Sequence, residues 1–342
     1  MIEQLETLCM LNGTSGREEQ VRSEILRQLD GKAEITVDPL GNVLAFVRGK
    51  HRAKKTVMFT AHMDEVGFII TYITDDGYLK FRPVGGIDDK VIVGRAVSVG
   101  EDAISGVIGI KAIHLTDKSD SDKVPEVGSL YIDIGAADKA EAETKIQIGD
   151  AAYFISDCKM LGEHKFKAKA IDDRFGCAVM LDMIDQGVDY DCWFCFLVQE
   201  EVGLRGAGAA AFRVQPDYAV VLEATTAADV AGVAKADQVC TLGGGAVVSF
   251  MDRSTVYDRK LFQHAFALAE DHGIAVQTKT TVAGGNDAGA IHKANGGVRT
   301  LALSLPCRYI HAAASVADIR DMAACRALAS LLLNAYADDA VE

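Results

Sequence analysis

Five times in this chain a mainly apolar run gives way to His, Asp or Glu. His62 and Asp64 follow VMFTA, Asp172 and Asp173 follow KFKAKAI, and Glu200 and Glu201 follow CWFCFLVQ. Glu223 follows YAVVL, and His311 follows LALSLPCRYI. Taken singly, each has an ordinary explanation. His62 could be a satisfied core histidine and His311 a loop residue. Asp172-Asp173 could be a helix cap followed by a first-turn acid, which does not exclude metal ligation by one of the two. Glu223 could end a plain strand. The recurrence at successive strand ends is what those explanations leave out.

The adjacent pair Glu200-Glu201 sharpens the question. Two carboxylates side by side repel, and beside a dry core each also loses hydration. Cations are the natural compensation. Two imidazoles with three or four carboxylates suit zinc, cobalt or manganese. One ion needs only three protein ligands and a water, whereas five ligands fit two ions about 3.5–4 Å apart, bridged by a carboxylate and a hydroxide. In that arrangement one glutamate of the pair binds metal while its neighbour takes the proton from the bridging water. The remaining histidines, His51, His114, His164, His264, His272 and His292, fall in loops or on amphipathic helices and are assigned solvated or structural roles.

The elements that must hold these residues can be read from periodicity. An opening helix ends at Asn12-Gly13, and Ser15-Gly16-Arg17-Glu18 reads as a capping box for a helix burying Val21, Ile25 and Leu29. From about residue 68 to 165 the texture is short β pieces separated by Gly and Asp turns, with LTDKSDSDKVPEVG as a polar loop. After Lys169, strands alternate with helices through to a long C-terminal helix rich in Ala and Leu. This pattern predicts an α/β fold with a mainly parallel sheet covered by helices on both faces. The expected division is a catalytic domain over 1–67 and 166–342, interrupted by an inserted β domain over 68–165. In such sheets ligands sit beyond the carboxyl ends of the strands, which is where the acids and histidines recur.

Composition narrows the function classes. Across 342 residues, 35 basic against 49 acidic side chains give a net charge of −14, and no Lys/Arg cluster stands out. A nucleic-acid or anionic-membrane partner is therefore not expected. The N-terminal stretch lacks the basic and apolar regions of a signal peptide, and no apolar run is long enough to span a bilayer. The eight cysteines are scattered. Cys192 and Cys195 form a C-x-x-C, but positions three apart in a strand face opposite sides, so buried reduced thiols in a cytoplasmic protein are expected.

Beyond these readings, AHMDEVGF, KAIDDRFGCAV, QEEVGLRGA, GGNDAGAIH and YIHAAASVADI together resemble the tetrahedral di-metal aminopeptidases of bacteria and archaea. That family includes glutamyl aminopeptidases and members once called endoglucanases. VGGIDDKVIVGRAV, GVIGIKAIHL and SLYIDIGA, within the β insert, are similar to its dimerisation domain, so the resemblance covers nearly the whole chain. The resemblance implies that Asp172 bridges two metals and carries a cis peptide to Asp173. It places His62 and Glu223 at one metal, Glu201 and His311 at the other, and Glu200 as general base. Asp64 would hydrogen-bond the His62 imidazole. Many members have Asp where this chain has Glu223, which leaves Asp229 as a fallback ligand.

The implied activity is removal of the N-terminal residue from short peptides with two divalent ions, zinc or cobalt. A metal-dependent deacylase or carboxypeptidase acting on N-acyl amino acids is the alternative, and a non-catalytic binding protein with degenerate ligands is a third. The resemblance further implies dimers closing into a hollow tetrahedral dodecamer. Gly284-Gly285-Asn286-Asp287 reads either as a plain turn and cap or, by the resemblance, as a wall of the specificity pocket. Arg205 is expected to be exposed.

Overall fold

The computed structural model describes residues 1–115 and 123–341; the central part of the expected polar loop lies outside them. Four strands form the middle of the main sheet: Cys192–Leu197, Val57–His62, Tyr218–Thr226 and Arg299–Arg308, in that spatial order. All three contacts between them are parallel. Their sequences are almost unbroken apolar runs because both faces are covered, which is what a buried parallel sheet demands. Antiparallel strands extend the sheet on each side, so it is mixed.

One face carries the helices Ile2–Met10, Glu19–Leu29, Ile171–Gln186, Arg259–Asp271 and Ile319–Ala337, all contributing to the largest core. In the last of these, Met322, Cys325, Leu328, Ala329, Leu332, Leu333 and Tyr336 are buried at three-to-four-residue spacing, the signature of a core-facing helix. The opposite face is covered by the small-residue helix Arg205–Val214 and the short helix Ala288–Ile291. Cys192 packs into the first core and Cys195 into the second, so the C-x-x-C cysteines do lie on opposite sides of the sheet. All eight cysteines are free thiols.

The chain leaves this sheet immediately after His62 and enters a closed six-stranded antiparallel barrel at the strand Gly67–Ile73. The last barrel strand is Ala151–Phe154. Phe68 centres the barrel interior, with ring-to-ring distances of 5.0 Å to Phe81 and 5.1 Å to Phe154 in edge-on geometry. Closure leaves no free sheet edge. The return path is the hairpin Lys159–Leu161 and Lys165–Ala168, which belongs to the main sheet and pairs with Ser315–Asp318. The barrel is thus entered just after His62, and the chain reaches Asp172 only after the return hairpin has rejoined the main sheet.

The capping box does not form. The second helix starts at Glu19 with no side-chain cap, because Ser15 and Glu18 are engaged elsewhere. No helix among the described residues is long and apolar enough to cross a membrane.

Candidate metal centre

The five predicted ligands converge from five different segments. His62 is the last residue of its strand, and Glu201 lies four residues beyond the end of the strand Cys192–Leu197. Glu223 differs from expectation: it sits inside the strand Tyr218–Thr226, which continues for three more residues. That strand pairs with Arg299–Arg308 over its full length, so the two run on past the point where the strand Val57–His62 stops. His62 Nε2 is 3.3 Å from Asp172 Oδ1 and 3.5 Å from Glu223 Oε1. His311 Nε2 is 3.2 Å from Asp172 Oδ2 and 3.3 Å from Glu201 Oε2. Asp172 thus presents one oxygen to each histidine. Each triad, His62/Asp172/Glu223 and Asp172/Glu201/His311, keeps its ligand atoms within 4.8 Å of one another.

The donors fit two divalent cations. His62 Nε2, Asp172 Oδ1 and Glu201 Oε1 are buried with no hydrogen-bond partner, a costly condition that a cation relieves. Burial, with the charge of Asp172 added, pushes Glu201 and Glu223 well above the usual carboxylate range. It drives Glu200 up to about 7. Burial also acts on Asp172, but the two imidazoles facing it, His311 and then His62, outweigh it and hold that carboxyl far below its ordinary value. Imidazole with carboxylate, and no thiolate, is the ligand mix of zinc or cobalt.

The Asp172-Asp173 pair, which the sequence left open between cap and ligand, divides the two roles. The peptide between them is cis. Asp172 faces His62 and His311, whereas Asp173 Oδ1 accepts the Gly176 N–H at 2.9 Å and so begins the helical turn.

Comparison with known proteins places this geometry. Residues 41–328 match the sequence profile of the M42 glutamyl aminopeptidase family. The chain belongs to that family. A putative aminopeptidase of Acetivibrio thermocellus is 37% identical over 94% of this chain and 95% of its own length. A lysyl aminopeptidase of Pyrococcus furiosus is 32% identical over 88% of this chain and 87% of its own. The TET1 peptidase of Pyrococcus horikoshii, described as assembling into a tetrahedron or a large octahedral shell, superposes with a TM-score of 0.85 at 34% identity, covering 99% of both chains. With its paired triads, this M42 chain is a metalloaminopeptidase with a two-metal centre.

Several contacts that orient the M42 ligands are invisible in the sequence. Nδ1 of His62 lies 2.9 Å from the main-chain carbonyl of Asp64, and Nδ1 of His311 lies 2.8 Å from the carbonyl of Gly86 in the barrel. A carbonyl only accepts, so Nδ1 carries the proton in both rings and Nε2 is left with a lone pair that could bind a cation. The Asp64 carboxylate is 3.5 Å from His62 Nδ1, beyond hydrogen-bonding distance. It instead accepts the Ser15 hydroxyl at 2.6 Å, the Glu200 N–H at 3.0 Å and the Glu201 N–H at 3.1 Å. Glu18 Oε1 accepts the Gln199 N–H at 3.2 Å, and the buried Asn42 amide bonds both Val198 N–H and the Gly206 carbonyl. The loop carrying the two glutamates is therefore fastened along its length.

The barrel also approaches closely enough to restrict Glu201. Gly85 has φ +87°, and a Cβ there would lie 2.8 Å from Val66 Cγ1 and 3.3 Å from the Glu201 Cβ. Asp229, the fallback ligand, is not at the centre: both its oxygens take the Arg308 guanidinium at 2.7 Å. Arg205 Nε donates to the Val202 carbonyl, outside the ligand cluster. A buried set, Lys169, Glu65 and Arg174, ties the segment between His62 and the barrel to the N-terminal helix through the carbonyls of Leu8, Leu11 and Met63.

Proposed function

We propose that this chain removes the N-terminal residue from short peptides, with Glu200 as general base. The observation that carries the reading is a division within the glutamate pair: Glu200 lines the same cavity as Asp172, Glu201, Glu223 and His311 but supplies no atom to either triad. His62, Asp172 and Glu223 would hold one ion, and Asp172, Glu201 and His311 the other. When bound, the two ions polarise the scissile carbonyl and lower the pKa of a water shared between them. Glu200 accepts the proton of the attacking water and hands it to the leaving amine. Asp64 fixes the backbone of Glu200 and Glu201, so the base and one ligand keep a constant offset. The position of Glu200 supports the assignment, since its N–H is anchored on Asp64 while its side chain stays at the cavity beside both triads.

Assembly belongs to the same reading. The P. horikoshii relative forms closed shells, and the barrel here leaves Tyr72, Val107, Ile148 and Ile155 exposed, apolar surface suited to a second subunit. Self-association to dimers and a tetrahedral dodecamer would admit only short or unfolded peptides, and a cytoplasmic location fits the free thiols. Neither nucleic acid nor membrane is a partner in this reading. Light scattering should give a mass far above the monomer's 36.5 kDa; a monomer at micromolar concentration would refute the assembly.

The decisive test is Glu200→Gln. The variant should retain two ions per chain by elemental analysis while turnover of aminoacyl anilides falls by about 10²–10⁴-fold. Undiminished turnover removes Glu200 as base. A wild-type enzyme that cleaves N-acetyl amino acids but not aminoacyl anilides would overturn the aminopeptidase assignment.

A further inference from the structure

The stretch from Gly13 to Glu18 supplies no atom to either metal triad, yet it reaches the glutamate loop at two points. The Ser15 hydroxyl bonds Asp64, and Glu18 Oε1 accepts the Gln199 N–H at 3.2 Å, one residue before Glu200. The stretch is itself anchored. The Glu65 N–H donates to the Gly13 carbonyl at 2.9 Å, and the same Glu18 oxygen accepts the Gly16 N–H at 2.7 Å. Glu18 is only 2% exposed.

Gln199 is the point at which the backbone needs such support. Its φ is +57°, in the left-handed region, which costs energy for any residue that carries a Cβ. Beyond it the N–H groups of Gly203 and Leu204 both donate to the Glu200 carbonyl at 2.9 Å, and the Arg205 N–H returns to the Gln199 carbonyl at 3.1 Å. The N–H groups of Glu200 and Glu201 meet Asp64. An extended Gln199 would carry the chain on along the direction of the strand Cys192–Leu197 and break this set. Among the described residues the Gln199 side chain makes no hydrogen bond, so its type contributes nothing to the turn, and the Glu18 oxygen is the side-chain partner that its N–H has.

We propose that Glu18 is a positioning residue for hydrolysis: its Oε1 holds Gln199 in the left-handed conformation and thereby fixes where the Glu200 carboxylate stands against the two triads. The inference rests on the reading of Glu200 as general base. The contact needs an acceptor oxygen and no charge. Burial raises the Glu18 carboxyl to about 7, and the protonated acid still accepts through its carbonyl oxygen.

The test measures kcat, KM and bound metal in a small set of variants, on whichever of aminoacyl anilides or N-acetyl amino acids the wild type cleaves. Glu18→Leu removes the acceptor and should lower kcat by about 10–100-fold, with KM little changed and two ions per chain retained. Glu18→Gln keeps an oxygen in the same place and should stay close to wild type. Adding Gln199→Gly to Glu18→Leu should raise kcat again by about 10-fold, because glycine enters the left-handed region without the Cβ penalty. A second pair leaves Glu18 intact and decides the matter if Glu18→Leu does not fold. Gln199→Asn tolerates a left-handed φ and should match wild type, whereas the β-branched Gln199→Val should lose kcat as Glu18→Leu does. Wild-type kcat in Glu18→Leu or Gln199→Val overturns the proposal. So does a Glu18→Gln variant as impaired as Glu18→Leu, a double variant without recovery, or the loss of an ion, which would move the effect to Glu201. Undiminished turnover in Glu200→Gln overturns the general-base reading alone, and the ranking of the Glu18 and Gln199 variants then still decides whether Glu18 positions this loop.

Discussion

Substituting Asp64 by Asn separates two roles that one residue could play at a metal centre. Asp64 is fully buried, and its carboxylate accepts three donors: the Ser15 hydroxyl and the N–H groups of Glu200 and Glu201. An asparagine offers one carbonyl oxygen. Whichever way the amide turns, its NH₂ faces at least one of the two backbone N–H groups, and that donor loses its acceptor. A hydrogen bond to a charged group contributes about 1.5–3 kcal/mol, so Asp64→Asn should lower unfolding stability by roughly that amount. The displaced loop carries Glu200, and loss of such a supporting contact lowers activity by about 10–100-fold. The His62 ring, in contrast, should not change, because Nδ1 is held by the Asp64 carbonyl, which the substitution preserves. The expected result is two ions retained by elemental analysis, a reduced kcat at saturating metal, and a lower midpoint in urea. Loss of one ion with unchanged kcat per loaded chain would refute the reasoning and return Asp64 to the imidazole. Wild-type stability and kcat together would refute it as well.

Asp172→Ala should abolish binding of both ions at once, since this side chain gives an oxygen to each triad; retention of one ion in metal analysis would show that the triads are independent. Asp229→Asn should keep both ions and cost about 1 kcal/mol in denaturant unfolding, because it weakens the pairing with Arg308 and the bond from the Leu242 N–H but touches no ligand; a lost ion would restore it as a ligand. Asp318 is held below its ordinary pKa because hydrogen bonds from Arg320 and Lys165 outweigh burial. Such a depressed carboxyl stabilises the fold above the unfolded carboxylate pKa, near 4, and the contribution fades as pH falls below it. Asp318→Asn should therefore be less stable than wild type at pH 7, with the gap closing towards pH 3 in melting experiments.

The parts legible in the sequence were those encoded by run length and residue type. Apolar strands such as Val57–His62 declare a sheet buried on both faces, and the recurrence of His, Asp and Glu after them marks where its ends meet. The division into two triads came from the family resemblance and not from the residue pattern, because which oxygen faces which imidazole depends on backbone turns such as the cis peptide after Asp172. Glu223 was placed at a strand end because the pairing that carries its strand past the rim involves residues 299–308, distant in sequence. Ser15 and Glu18 were misread as a local cap. Their spacing permits one, but a partner from far along the chain, Asp64 for one and Gln199 for the other, competes for each side chain. Main-chain acceptors leave no trace at all, since the carbonyls of Asp64 and Gly86 are common to every residue type.

The Gly86 carbonyl spans 225 positions of chain to reach His311. It belongs to the barrel, while the imidazole it steadies lies just beyond the strand Arg299–Arg308 of the main sheet. A polypeptide whose insert has not closed leaves that ring free to rotate and one metal position poorly defined. A change confined to the loop around Gly86 would therefore reach the metal centre without altering any ligand.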